Sequence, residues 1–232
     1  MSQTRTTFAV AIAAVSGLIA TGAAANSVIP DSHAINFSHL PSLQSSAQVD
    51  LGWVNADITA PISTFQFKNV NGTYGVGIGG GAVHGEISGN ESIRFDFSAP
   101  VLVTSLSLAH LYAEGNFGDV LHESATVLTD LGAFHLQVTS PTTAAWSGPG
   151  VATNLSIGTE QGGGLWEVAG FSIFPGAVNY LELVSGNPGP AYLSDYGFHS
   201  MDLRAVPIVP APATAALGAL GLGGLAARRR RA

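Results

Sequence analysis

The sequence predicts an all-β fold, a two-sheet antiparallel β-sandwich of jelly-roll type over residues 26–208. Three observations lead there. Short stretches alternate apolar with polar residues, which places the apolar ones on a single face of an extended chain. No run between 26 and 208 keeps apolar residues at helical spacing for long enough to hold a helix, and Gly, Pro, Asn and Asp separate the stretches. Of 232 residues, 29 are Gly, 12 are Pro and only 10% are charged, against about 25% charged in ordinary globular chains. The 46% hydrophobic content is too high for a disordered chain. With no cysteine, a disulfide framework, a thiolate zinc site and a cysteine nucleophile are all excluded.

Residues 1–7 carry one positive side chain, Arg5, residues 8–20 form a short apolar run, and Ala23-Ala24-Ala25 supply small side chains before Asn26. Positive start, short apolar core and small-residue site make a secretory signal peptide, residues 1–25 in a signal helix, with cleavage expected between Ala25 and Asn26. The run is too short for a membrane span.

In the body, the clearest strand is Ser92-Ile93-Arg94-Phe95-Asp96-Phe97-Ser98, with Ile93, Phe95 and Phe97 toward the core and Arg94 and Asp96 toward solvent. A turn is expected at Ala99-Pro100. Beyond it, Val101 and Val103 are out of phase with Leu106 and Leu108, which predicts a bulge or a sheet-switching bend near Thr104-Ser105. Further strands are expected at 34–37, 62–67, 73–78, 125–129, 134–138, 166–174, 180–184 and 198–203, about nine in total. Asp130-Leu131-Gly132 reads as a hairpin loop.

The chain ends in three parts: Val209-Pro210-Ala211-Pro212, an uncharged stretch over 213–227, and Arg228-Arg229-Arg230-Arg231. At 1.5 Å per helical residue the stretch reaches about 22 Å, short of the roughly 30 Å of a hydrocarbon core, and Thr214, Gly218, Gly221, Gly223 and Gly224 dilute it further. A short C-terminal transmembrane helix is expected, inserting weakly, with the arginines held on the cytoplasmic side and residues 26–208 outside. This tail resembles the PEP-CTERM sorting signal of bacterial exported proteins, with Ala211 in place of the usual Glu between the two prolines. The resemblance covers residues 209–232. It implies recognition by a membrane transpeptidase of the exosortase type, which removes the tail and releases or attaches the protein at the cell surface, in the extracellular matrix or biofilm. Signal peptidase would act at the other end. Loose patterns at 85–95, at 114–119 and at Ser194-Asp195-Tyr196 also resemble stretches of such proteins.

Charge points the same way. The region 26–205 holds three basic residues, Lys68, Arg94 and Arg204, against fifteen acidic ones, a net −12. Nucleic acid needs clustered Lys and Arg, so it is not an expected partner. Gly75-Val76-Gly77-Ile78-Gly79-Gly80 matches G-x-G-x-x-G but has no helix start after it to meet a pyrophosphate. The alternating glycines instead predict a strand lying close to another backbone, or a surface loop.

Acidic residues gather at Glu86, Glu91 and Asp96 and again at Glu114, Asp119 and Glu123. Two readings stand. Calcium takes six to eight oxygens, and Glu114, Asp119 and Glu123 with Glu86 are the ligands expected if it binds; as solvated turn residues they would keep the chain soluble and shield strand edges. The second reading is favoured because no D-x-[DN]-x-[DN]-G loop is present. The seven histidines stand singly, without H-E-x-x-H or H-x-H spacing. Ser172 lacks the glycines of a nucleophile elbow and reads as a strand serine. No catalytic residue is expected, and the protein is read as a non-enzymatic surface protein. The alternatives are a carbohydrate-binding module that stacks sugars of an extracellular polysaccharide on Trp53 or Trp146, with Trp166 in the core, and, behind it, a secreted glycoside hydrolase or lyase using paired acids such as Glu86 and Glu114.

Overall fold

The computed structural model describes residues 33–80, 83–116, 120–156, 164–186 and 194–207. The signal helix, the Pro-Ala-Pro tail with its transmembrane stretch, and Asp119 lie outside them. Among the described residues no helix is long and apolar enough to cross a membrane.

The described chain is all-β and antiparallel. Thirteen strands form one hydrogen-bonded network: β1 (His33–Asn36), β2 (Ser46–Asp50), β3 (Asn55–Thr59), β4 (Thr64–Val70), β5 (Thr73–Gly79), β6 (Ser92–Leu111), β7 (Ser124–Thr129), β8 (Gly132–Ser140), β9 (Thr143–Trp146), β10 (Val151–Asn154), β11 (Gly164–Ala169), β12 (Val178–Ser185) and β13 (Gly197–Ala205). The expected nine strands were too few. β2, β3, β9 and β10 are only four or five residues long, and β2 buries only Val49 while β9 buries no residue fully, so each carries too few large apolar side chains to mark a strand in sequence.

β6 organises the network. Its first part, 92–97, lies between β3 and β12, whereas its later part lies between β13 and β11. The expected turn at Ala99-Pro100 is absent because the strand runs through it. Four residues of β6, 97–100, stand opposite the single residue Asn179 of β12, so the chain jogs without reversing. Pro100, which has no N–H for a ladder, sits in the exposed part of that jog. The second irregularity falls where phase predicted it. Ser105 pairs with Asp202 and Val103 with Leu203, leaving Thr104 as the extra residue.

Both sides of β6 are covered. Ile93, Phe95, Val101, Val103, Leu106 and Leu108 join Phe65, Ile87, Leu181, Tyr196 and Phe198 in a single buried cluster, which supplies the main favourable term of folding. Trp166 is buried as expected, and its indole N–H donates to the Leu111 carbonyl at 3.0 Å. The strand expected over 166–174 stops at Ala169. There Phe171 turns out to solvent and the Ser172 hydroxyl donates to the Phe174 carbonyl at 2.9 Å, so Ser172 lies in the connection between β11 and β12 instead of a strand. Thr129 pairs with Gly132 across the expected β7–β8 hairpin.

Candidate functional site

Two polar groupings stand out, one at the end of β6 and one beyond it on the β7–β8 hairpin. The first begins with the glycine alternation in β5. A Cβ on Gly77 would sit 2.2 Å from the Glu86 Cα, and one on Gly75 would sit 3.2 Å from the Gly197 Cα. Side chains are excluded on that face because another backbone occupies it. The segment around Glu86 therefore lies on β5, bridging Ile78 and, through Ile87, Tyr196. This carries the Glu86 carboxylate to within 2.7 Å of the Lys68 ammonium on β4 and 3.3 Å of His110 Nδ1 at the end of β6.

His110 reaches this position from a left-handed backbone, φ 66°, a strained conformation for a residue with a side chain. Its Nε2 lies 3.1 Å from the Thr73 carbonyl, which can only accept, so Nε2 carries a proton. Nδ1 faces Glu86 off the hydrogen-bond direction. Burial pushes the Glu86 carboxyl up, but His110, Lys68 and Asp195 together pull harder and hold it below the ordinary carboxylate range. Glu91 is the contrast. Burial dominates there and raises its carboxyl, although Ser88 donates to it through both N–H and hydroxyl. These two acids fasten the connection between β5 and β6.

The second grouping lies on the outer side of the β7–β8 hairpin. Register puts Ser124 opposite Gln137 and Thr126 opposite His135, and the β6–β7 connection adds Glu114, Leu121 and His122. Ser124, His135 and Gln137 with Glu114, Leu121, His122 and Gly186 line a hollow of about 380 Å³. Its walls are held by hydrogen bonds: the Glu114 N–H donates to His122 Nδ1 at 3.0 Å, the Thr126 hydroxyl and His135 Nδ1 lie 3.0 Å apart, and the Ser124 and Ser194 hydroxyls lie 3.1 Å apart.

The four expected calcium ligands are thus separated in role. Glu86 is ion-paired under β4, Glu114 is exposed at the hollow, Glu123 is buried and accepts from the Tyr112 N–H, and Asp119 lies outside the described residues. Among the described residues no three His, Asp or Glu side chains are gathered as a metal ion requires. Glu114 does not share a strand face with His110, since β6 ends at Leu111. Trp146 rests on Phe134 and Phe174 and donates to the Pro149 and Ile173 carbonyls. Trp53 also packs against the core. The more open aromatics are Phe171, which stands out to solvent, and Phe67 and Tyr74, grouped around Phe37 with Tyr74 stacked parallel to it at 5.7 Å. Sequence patterns do not single out Ser124, His135 and Gln137, whose only signal is alternate placement on two strands of one hairpin.

Compared with known proteins, the chain matches no family model, no curated protein and no solved structure.

Proposed function

We propose that this is an exported protein of the bacterial cell surface or extracellular matrix, carried out by a signal peptide at residues 1–25 and sorted through the PEP-CTERM-like tail at 209–232. One observation carries the reading: a short apolar run with a small-residue site at the start is matched by a Pro-x-Pro, uncharged and arginine-cluster tail at the end. The described strands fall between these two segments. The body in this reading is a jelly-roll-like sandwich, with the sheet folding into two layers where β6 jogs at 97–100 and changes neighbours.

Its role is interaction instead of catalysis. That is supported by the use of Glu86 and Glu91 to fasten a connection, and of Glu123 to bind the Tyr112 N–H. Calcium at Glu114 with neighbouring acids is kept as a lesser proposal. The test is fractionation of expressing cells with an antibody to the body. The expected result is a protein in the surface or extracellular fraction, and replacement of Arg228–Arg231 by alanine leaves it unprocessed in the membrane fraction. Recovery of wild type from the cytosol at full length would remove the proposal.

A further inference from the structure

We infer that the hollow on the β7–β8 hairpin binds neutral sugar units, so that the protein holds a polysaccharide by this face. The inference rests on the reading that the protein has an interaction role at the cell surface or in the extracellular matrix, and it names the place and the ligand class. Its basis is the inventory of groups that line the hollow. The backbone N–H of Glu114 can only donate, so His122 Nδ1 is the acceptor and the neutral ring carries its proton on Nε2. That ring is therefore a donor, and a metal ion finds no lone pair at its Nε2. Gln137 offers both an amide donor and a carbonyl acceptor, Ser124 offers a hydroxyl, and Glu114 offers carboxylate oxygens only.

Electrostatics narrows the class. Among the described residues no Lys or Arg lines the hollow. Lys68 pairs with Glu86, Arg94 pairs with Asp96 and Glu182, and Arg204 sits over Phe171. A phosphate, sulfate or uronate would meet the Glu114 carboxylate with no cation to offset it. A neutral ligand with many hydroxyls satisfies donors and acceptors alike, and the apolar edge of Leu121, 44% exposed, suits the C–H side of a sugar ring. The volume falls at the low end of the roughly 300–1,000 Å³ of small-ligand sites, which fits a short stretch of glycan. Orientation is fixed beforehand, because His122, His135 and Ser124 are each held by a neighbour. Pre-set donors lose little freedom on binding.

The experiment titrates the purified full-length protein with the methyl glycosides of glucose, galactose, mannose and N-acetylglucosamine, with glucuronate, and with zinc chloride, while the imidazole signals are followed by NMR. At least one neutral glycoside is expected to bind in about the millimolar range and to move the His122 and His135 signals while His33 and His39 stay still. His135→Ala and Gln137→Ala change exposed strand positions and are expected to fold. Each is expected to weaken that binding by roughly tenfold, whereas Gln48→Ala on β2 leaves it unchanged. Binding of zinc or glucuronate without any neutral glycoside, the absence of any response, or sugar binding that ignores both hairpin variants would each overturn the inference. None of these bears on export, which fractionation reads separately.

Discussion

Glu86 shows how much a single side chain does here, since it is nearly buried and yet carries charge. A buried carboxylate survives only when a partner replaces its water, and the Lys68 ammonium at 2.7 Å does so. Its carboxyl is lower in the folded chain than in the unfolded one, so its stabilisation is present at and above the ordinary carboxylate range and is lost as pH falls through the folded value. Glu86→Gln is expected to cost about 2 kcal/mol at neutral pH, less than a fully buried pair because Lys68 can still reach water. Urea melts of both proteins between neutral and acid pH check this. Wild type should lose stability more steeply than the variant as pH falls, and parallel curves would show that Glu86 has no such role. Gly77→Ala places a methyl group 2.2 Å from the Glu86 backbone and is expected to cost about 3 kcal/mol. Gly176→Ala meets nothing nearer than Leu131 at 3.6 Å and is expected to cost under about 1 kcal/mol. Equal losses in denaturant would mean that the β5 glycines are not needed for close approach. The glycine spacing made that approach legible in the sequence. The ion pair was not, because Lys68, Glu86 and His110 meet only once β4, β5 and β6 are in place.

Among the elements, β6 is both the most legible in sequence and the most misleading. The phase change between Val103 and Leu106 located the bulge, since a pleated strand cannot bring both to one face without an extra residue, and Thr104 is that residue. Deleting Thr104 shifts the register of the downstream half of the strand and turns Leu106 and Leu108 away from the core. The expected outcome is loss of the cooperative unfolding transition by circular dichroism, and a deletion variant that melts like wild type would refute the bulge's role. Ala99-Pro100 misled because Pro breaks a ladder as readily by a jog as by a turn, and local sequence does not distinguish them. The hollow has the same limit. Ser124 and Gln137 lie thirteen positions apart and belong together only through the hairpin register, which Asp130-Leu131-Gly132 made legible but did not attach to any chemistry.

For the whole molecule, the all-β class was legible from alternation and composition. That all the described strands join in one hydrogen-bonded network was not, since one long strand links parts of the sheet with different neighbours. In the proposed reading the two ends direct the protein, while in the body acids placed near one another in sequence serve separate local tasks. The central claim is that both end segments escort the body out and are then removed. Intact-mass and terminal-sequence measurement of the protein recovered from cells tests it most directly. The expected chain begins at Asn26 and lacks the stretch 213–227 with its arginines. A surface-fraction protein still running from Met1 to Ala232 would contradict it.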